Sequence, residues 1–441
     1  MKTNKQMTVF DLVSIGVGSV IGAGIFSMLG TGIYFSGRSV VLALIFGMLL
    51  VFVEYIRPFI LSAVFVLPGG AYDQSSLTLP PVLIGAGALI TIIGNFGTSV
   101  SGLAIASYIA QLVPVLGPYQ QAMAFIIMTA FYAISIGGNK FLAKFQNIMA
   151  VCMYAALALF IIFGFVNRDS AAVSSAPYMP QGVTGLLMGT AMMSFACNGA
   201  TILPNYTKDA ENPKKTIPMA LALSTVVGAV IYALLGFAAT SALPYDQIAG
   251  QNMGFIAQQI MPGGVYVFFV VGGAIFALAT TILGGIGGLK WPILSSAQDG
   301  WLPHVFTKTT KNGYPWVIML LMYLISAVPI IGGFSLDSIV SLILVPAAIS
   351  SIAGNIINWN LPKQFPKAWS ENSLHLSVGG YHVLLVLSTI AAVVLTIFTL
   401  ATQQLPMILA NLAMTAFLFI FAAVRYRSGK VHLASRDIYK E

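Results

Sequence analysis

The stretch SIGVGSVIGAGIF, from Ser14 to Phe26, decides the fold of this chain. It is too apolar for a surface loop, yet each of its glycines costs roughly 1 kcal/mol relative to alanine in a helix interior. A dinucleotide-binding loop would need a preceding strand and an acidic residue about twenty positions further on. The segment offers neither, because the charge in that range is Arg38. The glycines therefore need another explanation.

The composition places the whole chain in a membrane. Of its 441 residues, 58% are hydrophobic and 7% are charged, and the mean hydropathy is +0.91. Soluble domains carry about 25% charged residues, so this chain could not cover a soluble surface. About twelve apolar stretches are long enough to cross a bilayer core of roughly 30 Å. They lie at 9–35, 39–66, 82–115, 120–137, 145–166, 182–205, 217–243, 262–290, 314–333, 336–358, 380–400 and 405–424.

The basic residues predict the orientation of these spans. If the N-terminus is cytoplasmic, the even-numbered connections lie inside, and they hold most of the lysines and arginines. Arg38 and Arg168 fall outside. We therefore expect a multi-pass plasma membrane protein with both termini in the cytoplasm, and its length and short tails favour a prokaryotic cell. The net charge of +8 reflects this topology and does not indicate nucleic acid binding, since the charges are scattered over many loops.

The sequence contains no pattern expected of an enzyme. The four histidines are far apart, and no paired carboxylates, Cys-His cluster or phosphate-binding loop occurs. Cys152 and Cys197 both lie within predicted spans, so no disulfide is implied. A channel needs rings of charge or filter repeats, and a sensor normally carries a signalling domain. We expect a transporter without cofactors other than an ion, with a channel or membrane sensor as the alternative class.

The glycines predict a break in the first span. Gly22, Ala23 and Gly24 would unwind the helix in mid-membrane, so that a half-helix beginning near Ile25 presents free N–H groups and a positive dipole end. Non-helical backbone at this depth is tolerated where it lines a cavity. A close helix–helix contact through the Gly18-x-x-x-Gly22 pattern is the competing explanation.

The sixth span predicts a second break. Its sequence LLMGTAMMSFACNGATILPNYT is interrupted at Ser194, Asn198, Gly199 and Pro204. Breaks in spans one and six are the arrangement expected of a transporter built from two inverted repeats of five spans. Hydrogen bonding between neighbouring helices is the alternative use of these polar groups.

Four motifs resemble the signatures of the amino acid–polyamine–organocation (APC) superfamily. They are GSVIGAGIF at 18–26, PGGAY at 68–72, AENPKKTIPMA at 210–220 and AQDGWLPHVFTK at 297–308. The resemblance covers nearly the whole chain. It implies an all-α integral membrane protein of the LeuT type, with a five-plus-five inverted repeat and broken helices 1 and 6. The repeats would occupy residues 9–166 and 182–358 of a single transporter domain, and two peripheral helices would follow at 380–424.

The resemblance also implies a substrate site between the two breaks. Amides of the first break, at Ala23 and Gly24, would bind a carboxylate, as a helix N-terminus favours. Carbonyls of both breaks, at Val20, Met193 and Ala196, would bind an α-ammonium group, as helix C-termini favour. Asn95 matches a polar site position in the arginine and polyamine exchangers. The substrate-binding candidates are Val20, Gly22, Ala23, Gly24, Asn95, Met193, Ala196, Asn198 and Gly285.

Departures from those exchangers predict a neutral substrate. The glutamate of their sixth span corresponds to Gly199 here, and their site tryptophans correspond to Met193 and Gly285. No carboxylate is placed to meet a substrate guanidinium or amine, and an unpaired cation is costly in mid-membrane. We expect secondary transport of neutral amino acids, bulky ones included, by alternating access.

The segment FALATT in the eighth span resembles the cation site of sodium-coupled relatives. Met153 stands where another branch has a lysine that substitutes for the cation, and five oxygens would suit a hard cation. The candidate sodium ligands are Gly18, Ile21, Ala277, Thr280 and Thr281. Hydrogen bonding of the threonines to their own helix is the competing explanation. An ion-independent or proton-coupled exchanger of amino acids or polyamines is the alternative function.

Glu54 and Arg57 lie three positions apart in the second span and share a helix face. Ionisable residues inside a membrane are functional candidates. A structural ion pair and a proton relay both stay open.

The sequence names neither the amino acid nor the oligomeric state, and the expected partners are a small-molecule substrate and membrane lipid.

Overall fold

The chain folds into a bundle of apolar helices. The computed structural model describes residues 7–67, 70–136, 139–169, 177–207, 210–311, 313–434 and 436. Over these residues, nine helical stretches are long and apolar enough to cross a membrane, as expected of an integral membrane protein. Val9–Val20 and Trp316–Ile331 are shorter apolar helices. Twelve spans and the two-repeat division remain predictions.

The first half of the described chain contains nine α-helices. Their bounds are α1 (Val9–Val20), α2 (Ala23–Ser36), α3 (Val40–Glu54), α4 (Ile56–Val64), α5 (Gly70–Thr78), α6 (Pro81–Ile93), α7 (Phe96–Leu112), α8 (Gln120–Ile136) and α9 (Asn139–Val166). A capping box starts α1, because the Asp11 N–H donates to Thr8 Oγ1 while the Thr8 N–H donates to the Asp11 carboxylate at 2.9 Å. This polar cap fixes where the first apolar helix begins.

The second half contains the remaining helices. Their bounds are α10 (Gly182–Cys197), α11 (Pro213–Ala242), α12 (Tyr245–Ile248), α13 (Met253–Ile260), α14 (Gly263–Phe268), α15 (Phe276–Gln298), α16 (Trp316–Ile331), α17 (Leu336–Ile357), α18 (Leu361–Gln364), α19 (Pro366–Ser370), α20 (Val378–Ala401) and α21 (Leu405–Arg427). The 3₁₀ helix Asn198–Tyr206, called the half-helix below, continues α10. A π-helical segment, Phe269–Ile275, joins α14 to α15.

Both expected interruptions are present, with small shifts in position. Helix α1 ends at Val20 and α2 begins at Ala23, so Ile21 and Gly22 are the non-helical residues. Ala23 and Gly24, which were predicted to be unwound, are thus the first residues of α2, and α2 begins two residues before Ile25, the predicted start. The second interruption is a change from α-helix to 3₁₀ helix at Asn198.

Two interruptions were not predicted from the sequence. Gly94 and Asn95 separate α6 from α7 within the third predicted span. The π-helical segment widens the helix near the start of the eighth span. Short π and 3₁₀ segments within longer helices often mark functional sites.

The two broken spans pack directly on each other at the centre of the bundle. Helix α2 lies against α10, and α1 lies against the half-helix and α11. The contact depends on glycine, because a Cβ on Gly24 would overlap the backbone of Ala196 and one on Gly199 would overlap the carbonyl of Ser19. Small residues let membrane helices approach this closely.

The far end of α2 is covered by α13. The Gly250 N–H donates to the Gly30 carbonyl at 2.8 Å. Tyr108 of α7 donates its hydroxyl to the Phe26 carbonyl at 2.6 Å, and its ring packs against Gly254 of α13. Tyr108 thus joins α2, α7 and α13.

Candidate functional site

The N-terminus of α2 lies at the centre of the candidate site. Its N-cap residue is Gly22, with φ −153° and ψ −145°, which has no side chain to cap the first amides. Uncapped N–H groups at the positive end of a helix dipole favour an anion. The amides of Ala23 and Gly24 therefore present the donors that a substrate carboxylate needs.

Tyr232 of α11 bridges the two breaks. Its buried hydroxyl donates to the carbonyl oxygen of Val20 at 2.6 Å and lies 3.0 Å from that of Ala196. Val20 ends α1, and Ala196 lies in the last turn of α10, so both carbonyls belong to negative helix ends. Two of the three carbonyls predicted to receive an ammonium group, those of Val20 and Ala196 but not that of Met193, thus converge on one donor.

Sequence reasoning missed Tyr232. It stands in an apolar stretch of the seventh predicted span, outside every motif quoted above. A buried tyrosine needs a hydrogen-bond partner for its hydroxyl. Its presence in an apolar span is the one feature of the sequence that could have pointed to a role for Tyr232. The partner could not be inferred, because Val20 lies 212 positions earlier in the chain.

Two other substrate-site candidates from the sixth span have defined contacts, Met193 with α2 and Asn198 within the half-helix. Met193 is fully buried, and its Sδ would lie 2.8 Å from a Cβ on Gly32 of α2. The Asn198 Oδ1 accepts a hydrogen bond from Thr201 at 2.9 Å within the half-helix. Met193 therefore supplies an apolar surface beside α2, and the Asn198 side chain stabilises the start of the half-helix.

Asn95 lies in the interruption between α6 and α7 and is 1% exposed. Its Nδ2 donates to the Ile92 carbonyl at 3.1 Å, while its Oδ1 has no hydrogen-bond partner among the described residues. Its own carbonyl accepts from Ser326 of α16 at 3.0 Å. None of these hydrogen bonds reaches either break. A buried acceptor without a partner is costly, so this oxygen is available to a polar ligand group.

Thr281 of α15 faces the first break. A Cβ on Gly22 would overlap its Oγ1, so the hydroxyl and the break are in contact. Thr280 and Thr281 both donate to the Ala277 carbonyl, at 2.8 and 2.9 Å, as the competing explanation expects. A hydroxyl keeps its acceptor lone pairs after donating its proton, so these bonds leave both oxygens able to face a cation.

The five predicted sodium ligands are only partly brought together by these contacts. Thr281 touches Gly22, the neighbour of Ile21, whereas a Cβ on Gly18 would lie 3.6 Å from the Tyr154 hydroxyl. Among the described residues, no group of three or more His, Cys, Asp or Glu side chains could hold a metal ion. A cation site here would therefore consist of hydroxyl and carbonyl oxygens.

The face of α15 that carries Thr281 borders free space. Gly284, Gly285 and Gly288 follow Thr281 at helical spacing and share its face. Gly288 packs on Ile202 of the half-helix, while a Cβ on Gly284 or Gly285 would have no neighbour within 4 Å. Gly285, which the family resemblance aligns with a site tryptophan of the exchangers, thus leaves open space beside α15.

Glu54 and Arg57 do not form the ion pair that one interpretation required. Both lie in the described part of the chain, and no ion pair within 4.0 Å joins them, unlike Lys214 and Glu371 at 3.6 Å. The Arg57 guanidinium instead packs on Gly354 of α17, with Cζ 3.0 Å from a Cβ built there. Its Nε and Nη1 have no hydrogen-bond partner among the described residues. The proton-relay interpretation is untested.

Comparison with known proteins identifies the relatives of this chain. The sequence profile of the amino acid permease family matches residues 7–426. A methylthioribose transporter of Bacillus subtilis is 25% identical over 334 residues, 69% of each chain. The branched-chain amino acid permease BcaP of the same organism is 23% identical over 334 residues, 71% of each chain. The human cationic amino acid transporter 4 is 26% identical over 199 residues, 44% of this chain and 31% of its own.

Proposed function

Because this chain belongs to the amino acid permease family of the APC superfamily, and is a membrane transporter rather than an enzyme, we propose that it carries neutral amino acids across the plasma membrane by alternating access. The proposal includes a LeuT-type arrangement with cytoplasmic termini. The convergence of the Val20 and Ala196 carbonyls beside the α2 N-terminus supports it most directly. Acceptors on one side and amide donors on the other match the two groups that every α-amino acid carries.

Tyr232 occupies the acceptors in the absence of substrate. An arriving ammonium group displaces its hydroxyl from the Val20 and Ala196 carbonyls. The exchange is favourable because a charged donor makes hydrogen bonds roughly twice as strong as a neutral one. Substrate binding thus breaks a link between α11 and the two breaks, which frees the helices to move.

A neutral side chain suits the surroundings of the breaks. Met193 is apolar, and Gly199 and Gly285 carry no side chain, so the described candidates offer no carboxylate to a cationic substrate. The space beside Gly285 favours bulky side chains. Two bacterial relatives are named for methylthioribose and for branched-chain amino acids, neither of which carries a net charge. Other relatives are named for cationic amino acids, so the relatives' names do not decide the class, and the proposal of a neutral side chain rests on the lining of the breaks.

Sodium coupling is part of the proposal, because Thr281 Oγ1 touches the first break where a cation would bind. The alternative is exchange without an ion or with a proton. The bonds of both threonines to Ala277 are compatible with either version, since they satisfy the hydroxyl protons and leave the oxygen lone pairs free.

Uptake into proteoliposomes tests the substrate class. Purified protein is given labelled leucine, phenylalanine, glycine, arginine and putrescine, each with and without unlabelled leucine inside the vesicles. The proposal expects leucine or phenylalanine to exceed arginine and putrescine by at least about tenfold, the factor given by 1.4 kcal/mol of discrimination. Preference for arginine or putrescine would refute the neutral class. Uptake only into preloaded vesicles would establish the exchanger.

A further inference from the structure

Residues 430–434 and Arg436, called the strap, fold back onto the helix bundle. Leu433 is 8% exposed and packs in one apolar cluster with Tyr72, Leu79 and the fully buried Trp301. The strap lies so close to Gly300 that a Cβ there would overlap the Lys430 carbonyl, and Gly300 has φ +92°, which favours glycine. The strap is therefore closely packed against Gly300 and the apolar cluster.

Polar bonds hold the strap on the turn that follows α15. The His432 N–H donates to the Asp299 carbonyl at 2.9 Å, and the Ala434 N–H donates to Asp299 Oδ1 at 3.4 Å. The other carboxylate oxygen accepts from the Tyr72 hydroxyl of α5 at 2.7 Å. Asp299 thus joins the strap to α5 through its two carboxylate oxygens.

Arg436 holds the strap on the end of α5. Its Nε donates to the Ser76 carbonyl at 2.9 Å and its Nη2 to the Leu79 carbonyl at 2.6 Å. A guanidinium at a helix C-terminus satisfies terminal carbonyls and complements the helix dipole. Arg425 makes a similar pair of bonds to the Gly300 and Leu302 carbonyls, at 2.7 and 3.1 Å. Two arginines therefore fix the strap, α5 and the turn together.

Helix α5 also contacts the half-helix of the candidate site. The Ala71 N–H at its start donates to Asn205 Oδ1 at 3.4 Å. Its other end is the one that Arg436 holds. The strap and the half-helix therefore contact opposite ends of the same short helix, α5.

We propose that the strap is a latch, which holds α5 and the half-helix in the observed arrangement and must release for the half-helix to move. Its bonds are backbone and guanidinium contacts with Leu433 as the buried apolar anchor, so local release is cheaper than unfolding a span. The inference rests on the proposed alternating access, because that mechanism requires the half-helix to move.

The test removes the Arg436 contacts and follows the strap and the site separately. Arg436→Ala removes two charge-assisted hydrogen bonds, and Arg436→Lys keeps the positive charge but cannot donate to two carbonyls in the same geometry. Arg427→Ala is the matched control, because it removes an exposed positive charge from the end of α21. Peptide hydrogen exchange reports on residues 430–434. Alkylation of Gly284→Cys by a polar maleimide, with Cys152 and Cys197 replaced by serine, reports on the space beside α15. Gly87→Cys in α6, where a Cβ also has no neighbour within 4 Å, is the control for maleimide reactivity at a position outside α15.

We expect Arg436→Ala to raise strap exchange about tenfold, as loss of a charged hydrogen bond predicts. Alkylation at Gly284→Cys should fall severalfold, because the latched arrangement leaves that space open. In Arg436→Lys, the exchange rate and the alkylation rate should both lie between those of the parent and of Arg436→Ala. In Arg427→Ala, both rates should match the parent. If exchange in the strap becomes faster but alkylation at Gly284→Cys does not change, the strap does not control the half-helix and the proposal is wrong. If exchange in the strap does not change, Arg436 does not hold the strap. Neither readout needs a substrate, so a failure of the latch proposal can be told apart from a failure of the proposed amino acid transport.

Discussion

The hydroxyl of Tyr232 lies 2.6 Å from the carbonyl oxygen of Val20, across the point where the first helix breaks. A buried tyrosine from one helix therefore occupies the acceptor that the sequence assigns to a substrate. The same hydroxyl reaches Ala196 at the end of α10, so one side chain links three helices.

Replacement of Tyr232 by phenylalanine tests this link. The ring and its packing are kept, and the competitor for the two carbonyls is removed. We expect substrate affinity to rise about fivefold, the equivalent of one neutral hydrogen bond of about 1 kcal/mol, with a lower maximal uptake rate because release slows. Equilibrium binding and proteoliposome kinetics measure both values.

Tyr323→Phe is the matched control, since its hydroxyl contacts Thr129, away from the breaks. Weaker binding in Tyr232→Phe than in this control would show that the hydroxyl positions the carbonyls and does not compete for them.

Alanine at Gly199 tests the contact between the breaks. The new Cβ would overlap the Ser19 carbonyl, so we expect a destabilisation of about 1–3 kcal/mol, typical of overpacking. Gly87→Ala in α6 is the control, because a Cβ there meets open space and alanine is the better helix former. Thermal unfolding of both variants in detergent gives the comparison. Equal melting temperatures would mean that the half-helix can move away at little cost.

Thr281→Ala tests the cation site. If sodium binds between Thr281 and the first break, loss of the hydroxyl ligand should raise the half-saturating sodium concentration at least about tenfold, as loss of about 1.4 kcal/mol requires. Thr225→Ala is the control, because its hydroxyl donates within α11 to Leu221. Sodium-dependent uptake is the measurement. Uptake by the parent protein that is indifferent to sodium would favour the exchanger.

Tyr108→Phe tests how α13 is held over α2. It removes the bond to the Phe26 carbonyl and leaves the ring on Gly254. We expect faster amide exchange in α13 by about fivefold, because the ring that packs on Gly254 is no longer fixed by the bond to Phe26, which is worth about 1 kcal/mol. Exchange in α20, which lies elsewhere in the bundle, should not change. Unaltered exchange in α13 would mean that the Gly250–Gly30 backbone bond holds this helix without Tyr108.

The positions of the two central breaks could be predicted from the sequence because their cause is local. Glycines in an apolar span are unfavourable for a helix wherever they pack, so Gly22 and Gly199 carried the signal. The family resemblance was correct for the same reason, since its motifs are short and contiguous. The repeat division and the sodium ligands remain predictions.

The contacts that assemble the site could not be predicted, because they join distant parts of the chain. Tyr232 and Val20 meet only after α11 packs on α1, and the Asp299 contacts with the strap form across 135 positions. The ion-pair interpretation of Glu54 and Arg57 failed for the same reason. Shared helix spacing made it plausible, but packing of the guanidinium on Gly354 of a distant helix prevailed.

Competition by modified leucines tests the central claim most directly, which is that the breaks recognise the α-amino and α-carboxylate groups. Uptake of labelled leucine into proteoliposomes is measured with an excess of leucine, leucine amide, N-acetyl-leucine or methylthioribose. We predict inhibition by leucine alone, because each of the others lacks a group that the α2 amides or the Val20 and Ala196 carbonyls bind. Equal inhibition by the amide, the acetyl derivative or methylthioribose would contradict recognition by the two breaks.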